Sequence, residues 1–323
     1  MKRLLFLLLA CVALTVVVGC TTPRPQGYVV GDPVKPNPLY VLSFDGNGNL
    51  ENRDDFTTIC NKLAAKPQTV MVFVHGWKGS ASPNDSNVRN FSEALSEIRA
   101  ESYEKTGRTL TGVYITYRTR YLPGHFEIWW YPTKWRANSI ARGTARGTGI
   151  FEAIDKLSRE VRRDKRDRVV IAGHSLGARI LGRVVAFHPE VLRNVDLCIL
   201  ANTADGVHQY EKTLLAVTKS GLPPTRLPKL VWATSKNDRV TGVLYRLGNR
   251  HPPPGFVESV QDYQVAFVQP DAKGHYSTKI NQVAQRPNRF GHNIIVAEGL
   301  GEHGDVWSEP MRELVNFYLF HGR

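Results

Sequence analysis

The stretch Val169-Val170-Ile171-Ala172-Gly173-His174-Ser175-Leu176-Gly177 decides the fold of this chain. Its first four residues are apolar and mostly β-branched, which is typical of a strand buried on both faces. The residues that follow, 178–187, have the composition of an apolar helix. A serine between two glycines at the junction of a strand and a helix predicts a sharp turn that presents Ser175 at the carboxyl edge of a sheet.

Segments of similar composition alternate with amphipathic stretches along much of the chain. The predicted strands are 40–44, 69–74, 112–116, 168–172, 195–200 and 229–234. Between two of them, apolar residues recur every three or four positions from Val88 to Ile98, which predicts a helix that Gly107 ends. This alternation predicts an α/β fold with a mostly parallel central sheet flanked by helices on both faces.

The two glycines of the turn have a steric reason. A side chain two positions before or after Ser175 would collide with the neighbouring strand or helix, and Gly173 and Gly177 avoid that collision. The tight turn requires a strained backbone at the serine. The N-terminus of the following helix favours negative charge beside the serine hydroxyl.

At these residues the chain resembles the α/β-hydrolase superfamily, and in particular its esterases and lipases. The similarity extends, as an order of elements, from Thr69 to the C-terminus. The resemblance implies that Ser175 is the nucleophile of a triad in which serine, acid and histidine follow in that order along the chain.

A second similarity lies about a hundred residues before the serine, where a predicted strand ends in His75-Gly76-Trp77. The family places its oxyanion loop at this point. The resemblance therefore assigns the two oxyanion donors to the backbone N–H groups of Trp77 and Leu176. The side chain of His75 is expected to form a hydrogen bond within its own loop, and that of Trp77 either lines an acyl pocket or packs in the core.

The acid has two candidates. Asp238 follows the strand 229–234 and matches the loop that carries the acid in the family. Asp205 follows the preceding strand and is held in reserve, because some relatives carry the acid there.

The base has three downstream candidates, His275, His292 and His303. His303 lies between the apolar run 294–297 and a closing helix, which is where the family places its histidine. His275 follows another strand-like run, 263–268, and replaces His303 if that run is the last strand of the sheet.

The N-terminus has the layout of a bacterial lipoprotein signal. Residues 1–19 have a basic start and an apolar run, and Val17-Val18-Gly19 precedes Cys20 as in a lipobox. The resemblance implies lipidation of Cys20 and attachment to the cell envelope, at the periplasmic side of the outer membrane in a Gram-negative cell. Ordinary secretion with cleavage nearby is the alternative. Residues 20–38 are proline-rich and predict a tether to a catalytic domain over 39–323.

Two long connections are candidate cap insertions over the serine, 119–136 and 242–290. The first contains Trp129, Trp130 and Trp135 among other aromatic residues. Such a segment either caps the site with an apolar surface or packs against the edge of the domain.

Composition excludes several classes of protein. The 323 residues are 42% hydrophobic, which suits a sizeable core, and neither a zinc-ligand spacing nor a phosphate-binding loop is present, so no metal or other cofactor is expected. The formal net charge of +13 is spread along the chain, and we expect the protein to contact anionic lipid rather than nucleic acid. Of four cysteines only Cys60 and Cys198 remain in the predicted domain, either as thiols or as a disulfide.

The sequence thus predicts a serine hydrolase that cleaves a carboxylic ester or thioester of a small molecule or lipid through an acyl-enzyme. An acyltransferase or amidase would use the same residues, and a binding lipoprotein would keep the fold without the activity.

Overall fold

The computed structural model describes residues 29–30, 39–77, 79–118, 130–143, 148–162, 167–222, 229–235, 238, 240, 265–268, 293–297 and 302–320. The predicted signal sequence, Cys20, most of the tether, most of both candidate cap insertions, and His275 lie outside these ranges. Among the described residues, no helix is both long and apolar enough to cross a bilayer.

Strands and helices alternate along the described chain. The strands are β1 (Val29–Val30), β2 (Leu39–Phe44), β3 (Gln68–Val74), β4 (Thr109–Tyr117), β5 (Arg168–His174), β6 (Leu197–Ala201), β7 (Lys229–Thr234), β8 (Val265–Val268) and β9 (Asn293–Ala297). The helices are α1 (Arg53–Ala64), α2 (Ser86–Thr106), α3 (Trp130–Arg142), α4 (Ile150–Val161), α5 (Leu176–Phe187), α6 (Val207–Lys219) and α7 (Glu309–Phe320).

The strands form one sheet in the order β1-β2-β4-β3-β5-β6-β7-β9-β8. β1 pairs with β2 in antiparallel orientation, and every other neighbouring pair is parallel. The prediction of a mostly parallel sheet is therefore confirmed. Because parallel strands place their carboxyl ends at one edge, the loops after β3, β5, β7 and β9 open on the same side of the molecule.

The sheet is covered on both faces, as predicted. Alternate residues of β3 enter different cores: Val70, Val72 and Val74 contact the core that includes α1, α4, α5 and α6, whereas Met71 and Phe73 contact the core that includes α2 and α7. All five side chains are fully buried. This burial on both faces explains why the strand is a continuous apolar run rather than an alternating one.

Most predicted boundaries hold to within three residues. Helix α2 ends at Gly107, whose φ of 65° is left-handed, and the side chain of Asp85 accepts a hydrogen bond from the Asn87 N–H at the start of the helix. Helix α3 begins at Trp130, inside the predicted connection rather than after it, because the aromatic composition around Trp135 obscures the helical period. This helix packs against α5, and Trp135 itself is exposed.

The two cysteines of the described domain are both buried and both free. The alternative of a Cys60–Cys198 disulfide is therefore wrong. Burial raises the pKa of the Cys60 thiol to about 11 and raises the pKa of the Cys198 thiol as well. Both thiols are protonated at neutral pH and act as small apolar groups in the core.

Candidate active site

Ser175 lies in a strained turn between β5 and α5. Its φ of 53° and ψ of −114° fall outside the regions that side chains ordinarily allow. The turn is held by main-chain bonds on both sides: the Ser175 N–H donates to the Ala201 carbonyl at 2.9 Å, and the Ala204 N–H donates to the Ser175 carbonyl at 3.1 Å. The strain is thus supported by the end of the neighbouring strand β6.

The flanking glycines allow three elements to meet at this turn. A Cβ atom at Gly173 would lie 2.7 Å from the Ala178 Cα in α5. A Cβ atom at Gly177 would collide with the carbonyl oxygens of Val74 and His75 at the end of β3. Since these neighbours are main-chain atoms, they cannot rotate away, and only glycine fits at either position.

The structure brings together the serine, one acid and one histidine of the predicted set. The His303 Nε2 lies 2.8 Å from the Ser175 Oγ, and the His303 Nδ1 lies 2.9 Å from the Asp238 Oδ2. A carboxylate only accepts, so Nδ1 carries the proton and Nε2 accepts from the serine hydroxyl. Asp238 is fully buried, whereas the His303 side chain is 19% exposed.

The loop that carries Asp238 is held by a residue that the sequence did not indicate. Asn202 has a left-handed φ of 42°, and its Oδ1 accepts a hydrogen bond of 3.1 Å from the Ser235 N–H. The Asp238 N–H in turn donates to the Ser235 carbonyl at 3.3 Å. Asn202 therefore links the end of β6 to the turn that positions the carboxylate. Asparagine is common in the turn after a strand, so the sequence around Asn202 does not distinguish this residue from an ordinary turn residue.

The loop after β3 lies directly beside the serine. A Cβ atom at Gly76 would be 3.2 Å from the Ser175 Cβ. His75 is fully buried, and its Nδ1–H donates to the Gly76 carbonyl, as expected of a hydrogen bond within the loop. Its Nε2 lies 3.1 Å from the Thr116 Oγ1, and its ring stacks on Tyr117 at 4.5 Å.

These contacts fix the direction of one peptide unit. In a trans peptide the carbonyl and the following N–H point in opposite directions, so the bond to the Gly76 carbonyl turns the Trp77 N–H away from the His75 ring. Burial lowers the pKa of His75 to about 4, so the ring is neutral at neutral pH. The Trp77 side chain is partly buried and packs against the core, which favours packing over the alternative of a pocket wall.

Leu176, whose N–H is the other expected oxyanion donor, is the first residue of α5 and follows Ser175 directly. The first N–H groups of a helix have no partner within it. The Leu176 N–H therefore lies in the first turn of α5, next to Ser175, and has no acceptor within the helix.

Asp205, the reserve acid, has a different role. It is buried and paired with the Arg179 Nη1 at 2.7 Å and the Arg183 Nε at 3.3 Å. The Arg179 guanidinium also donates to the Asn138 Oδ1 of α3 and to the Ala204 carbonyl. Asp205 thus links α3 and α5 to the loop after β6, and it is Asp238 that contacts the histidine.

The position of His303 follows from the order of the last strands. β9, not β8, pairs with β7, and β8 lies at the edge of the sheet. His303 comes after β9 and so reaches the carboxyl edge near the ends of β5 and β7. His275 and His292, the other candidate bases, lie outside the described residues. Within the described chain, no group of three or more His, Cys, Asp or Glu side chains is arranged to hold a metal ion.

The strand order, the strained serine turn after β5 and the acid and histidine after β7 and β9 together define the architecture. The chain has an α/β-hydrolase fold. No protein-family model matches the sequence, and a search of curated proteins finds no match.

Solved structures that resemble this α/β-hydrolase fold do so at low identity. One is LpqC, a poly(3-hydroxybutyrate) depolymerase from Bordetella parapertussis, with 15% identity, 80% of each chain covered and a TM-score of 0.39. Another is the siderophore hydrolase EstA from Aspergillus nidulans, with 12% identity, 79% of this chain and 84% of that chain covered, and a TM-score of 0.40. A third is TT1662 from Thermus thermophilus, with 13% identity, 80% and 90% coverage and a TM-score of 0.37.

Proposed function

We propose that this protein is a serine hydrolase that cleaves a carboxylic ester or thioester through an acyl-enzyme intermediate. The observation that carries the proposal is the continuous hydrogen-bonded chain from the Ser175 hydroxyl through the His303 imidazole to the buried Asp238 carboxylate. A serine hydroxyl is a weak nucleophile, and an imidazole oriented by a carboxylate is the arrangement that activates it.

In the proposed reaction the Ser175 Oγ attacks the substrate carbonyl carbon while its proton passes to the His303 Nε2. The Asp238 carboxylate stabilises the imidazolium that forms. The tetrahedral oxyanion accepts hydrogen bonds from the Trp77 and Leu176 N–H groups. Collapse of this intermediate breaks the ester C–O or thioester C–S bond, and His303 returns the proton to the leaving alcohol or thiol.

Water then completes the cycle. His303 takes a proton from a water molecule, whose oxygen attacks the acyl carbon. The bond from the acyl group to the Ser175 Oγ breaks, the proton returns to that oxygen, and a carboxylic acid leaves. Each step uses only the three side chains, the two N–H groups, substrate and water.

The test is covalent labelling followed by turnover. The full-length protein is treated with a fluorophosphonate probe, and its activity is then measured on p-nitrophenyl esters of increasing chain length. We expect labelling and hydrolysis by the wild type, neither by Ser175→Ala, and a loss of kcat of about 10³-fold or more in His303→Ala. Replacing Asp238 with asparagine should lower kcat by a similar factor because the His303 tautomer is no longer fixed. A wild type that neither reacts with the probe nor hydrolyses any ester contradicts the proposal.

We further propose that the enzyme is anchored to the cell envelope by lipid on Cys20. The support is the sequence alone: a basic start, an apolar run and a small residue before the cysteine. Replacing Cys20 with serine should move the protein from the membrane fraction to the soluble fraction. Equal membrane retention of this variant and the wild type contradicts lipid anchoring.

A further inference from the structure

His174, between the strand β5 and the nucleophile, has no part in the proposed chemistry, yet it contacts the histidine that does. Its side chain is buried, and its Nε2 lies 2.7 Å from the main-chain carbonyl oxygen of His303. The two rings are neighbours, with centroids 4.8 Å apart. Two adjacent residues therefore contact His303 from 128 and 129 positions away in the chain. Ser175 contacts its side chain, and His174 contacts its main chain.

The protonation state of His174 follows from its partners. A carbonyl oxygen only accepts a hydrogen bond, so Nε2 must carry the proton. In the described part of the chain the Nδ1 is buried without a hydrogen-bond partner, close to Gly76. A proton on this nitrogen would be an unpaired buried donor. Burial and the neighbouring His303 ring lower the pKa of His174 to about 3, against smaller opposing effects of the hydrogen bond to the His303 carbonyl and of Asp238, so the ring is a neutral donor.

The main chain around His303 has a second anchor four residues further on. The Trp307 ring is buried against Phe73 and Phe91, with centroid distances of 5.0 and 5.2 Å. This contact fixes the end of the loop.

His303 itself lies in a turn, in which the Asp305 N–H donates to the Glu302 carbonyl at 3.1 Å and the Glu302 N–H donates to the Asp305 Oδ2 at 2.9 Å. The peptide that carries the His303 carbonyl is the central unit of that turn. The hydrogen bond from His174 fixes that peptide, and with it the origin of the imidazole side chain.

We propose that His174 is a positioning residue, whose hydrogen bond to the His303 carbonyl holds the base within reach of both Ser175 and Asp238. The proposal rests on the proposed function. It explains why a histidine precedes the nucleophile: the turn that presents the hydroxyl also presents a donor to the loop of the base. A displacement of about 1 Å in such a group lowers the rate by about 10²-fold.

The first experiment compares His174→Gln with His174→Met in the full-length protein. The two side chains have similar length and volume, but only glutamine has an N–H to donate. We expect His174→Met to lower kcat about 30- to 100-fold per fluorophosphonate-titrated site, with KM within about twofold of the wild type. His174→Gln should retain kcat to within about fivefold. His188→Leu, at the partly exposed end of α5, is the control for loss of a histidine elsewhere.

The outcomes are distinct. Equal kcat in His174→Met and wild type, or an equal loss in both variants, overturns the positioning role. If His174→Met does not fold, His174→Gln decides alone: kcat within fivefold supports the role, and a larger loss overturns it.

A second measurement does not depend on turnover. Proton NMR follows the downfield resonance of the His303 Nδ1–H bonded to Asp238, assigned by its absence in His303→Ala. We expect this resonance in the wild type and His174→Gln, and its broadening or loss in His174→Met. An unchanged resonance in His174→Met overturns the positioning role. A wild type that shows the resonance but neither labels nor hydrolyses contradicts the proposed function instead, so the two failures are distinguishable.

Discussion

At the scale of single residues, this site is built from backbone conformations that few residues tolerate. Ser175 has a φ of 53°, and Gly177 packs directly on the carbonyl oxygens at the end of β3. Strain of this kind costs of order 1–3 kcal/mol for each residue and persists only where the surroundings fix it. Here the strain places the serine hydroxyl next to an imidazole.

The close approach at Gly177 leads to a prediction. Replacing Gly177 with alanine should lower the free energy of unfolding by at least about 2 kcal/mol, because the new Cβ overlaps main-chain atoms of Val74 and His75. Fluorophosphonate labelling should fall with it, since the end of β3 carries the proposed oxyanion loop. Urea denaturation and labelling rates measure the two effects.

Gly182 in the same helix is the matched control. A Cβ atom there meets only the Leu200 Cδ1, at 3.2 Å, and alanine is favoured over glycine within a helix by about 1 kcal/mol. Gly182→Ala should therefore be neutral or slightly stabilising. Equal stability of the two alanine variants would show that the contact at Gly177 is not rigid.

At the scale of elements, buried charges connect helices that the sheet alone does not position. Arg179 of α5 pairs with Asp205 in the loop after β6, and the exposed fractions of their side chains are only 2% and 3%. The same guanidinium contacts α3 through Asn138. The Ala204 N–H in this loop also donates a hydrogen bond to the Ser175 carbonyl. The ion pair that holds the loop therefore also supports the serine turn.

Removing this carboxylate should be costly. In Asp205→Asn, the buried Arg179 guanidinium loses the negative charge that lies 2.7 Å from its Nη1, and we expect a loss of about 3–5 kcal/mol in the free energy of unfolding. Asp155→Asn is the control, because its partner Arg159 is 62% exposed and such pairs contribute about 0–1 kcal/mol. Chemical denaturation of both variants tests the difference. Comparable small losses in both would argue that Asp205 does not stabilise the fold.

At the scale of the whole molecule, the parallel sheet brings the residues of the candidate site together at one edge and buries two histidines, His75 and His174, beside them. β3, β5, β7 and β9 all end at the same edge, so a glycine loop, a serine, a carboxylate and an imidazole from distant parts of the sequence meet there. The cost of this packing is that His75 and His174 have pKa values lowered to about 4 and about 3. Both must be neutral in the folded state.

This burial predicts acid sensitivity. An unfolded histidine binds its proton near its ordinary pKa of 6.5, whereas folded His75 binds one only near 4, so between these values the unfolded state holds more protons and acid favours unfolding. His75 alone should decrease the free energy of unfolding by about 1 kcal/mol per pH unit between about pH 6 and about pH 4.5.

Urea denaturation across this range, in the wild type and His75→Gln, measures that contribution. The variant should be less stable overall but have the shallower slope, because its side chain does not titrate. Parallel slopes in the two proteins would mean that His75 does not contribute to the acid sensitivity.

Some parts of this architecture were predictable because they depend on neighbouring residues. The apolar run of β5, the two glycines around Ser175 and the Gly107 helix end each encode a local conformation in a few consecutive side chains. Parallel pairing also followed from composition, since strands buried on both faces have continuous apolar sequences. The start of helix α3 was missed because its aromatic residues do not follow a clear helical period.

The sequence by itself determined that a serine would stand at a strand-to-helix turn of a parallel sheet, because strand, turn and helix propensities act over a few residues. Only the tertiary structure decided which histidine contacts this serine and which carboxylate contacts that histidine. Asp238 lies 65 residues from His303, and Asp205 is equally acidic, yet β9 beside β7 brings His303 to Asp238 while two arginines pair with Asp205. Contacts between such distant residues depend on the order of strands across the sheet, which no local pattern encodes.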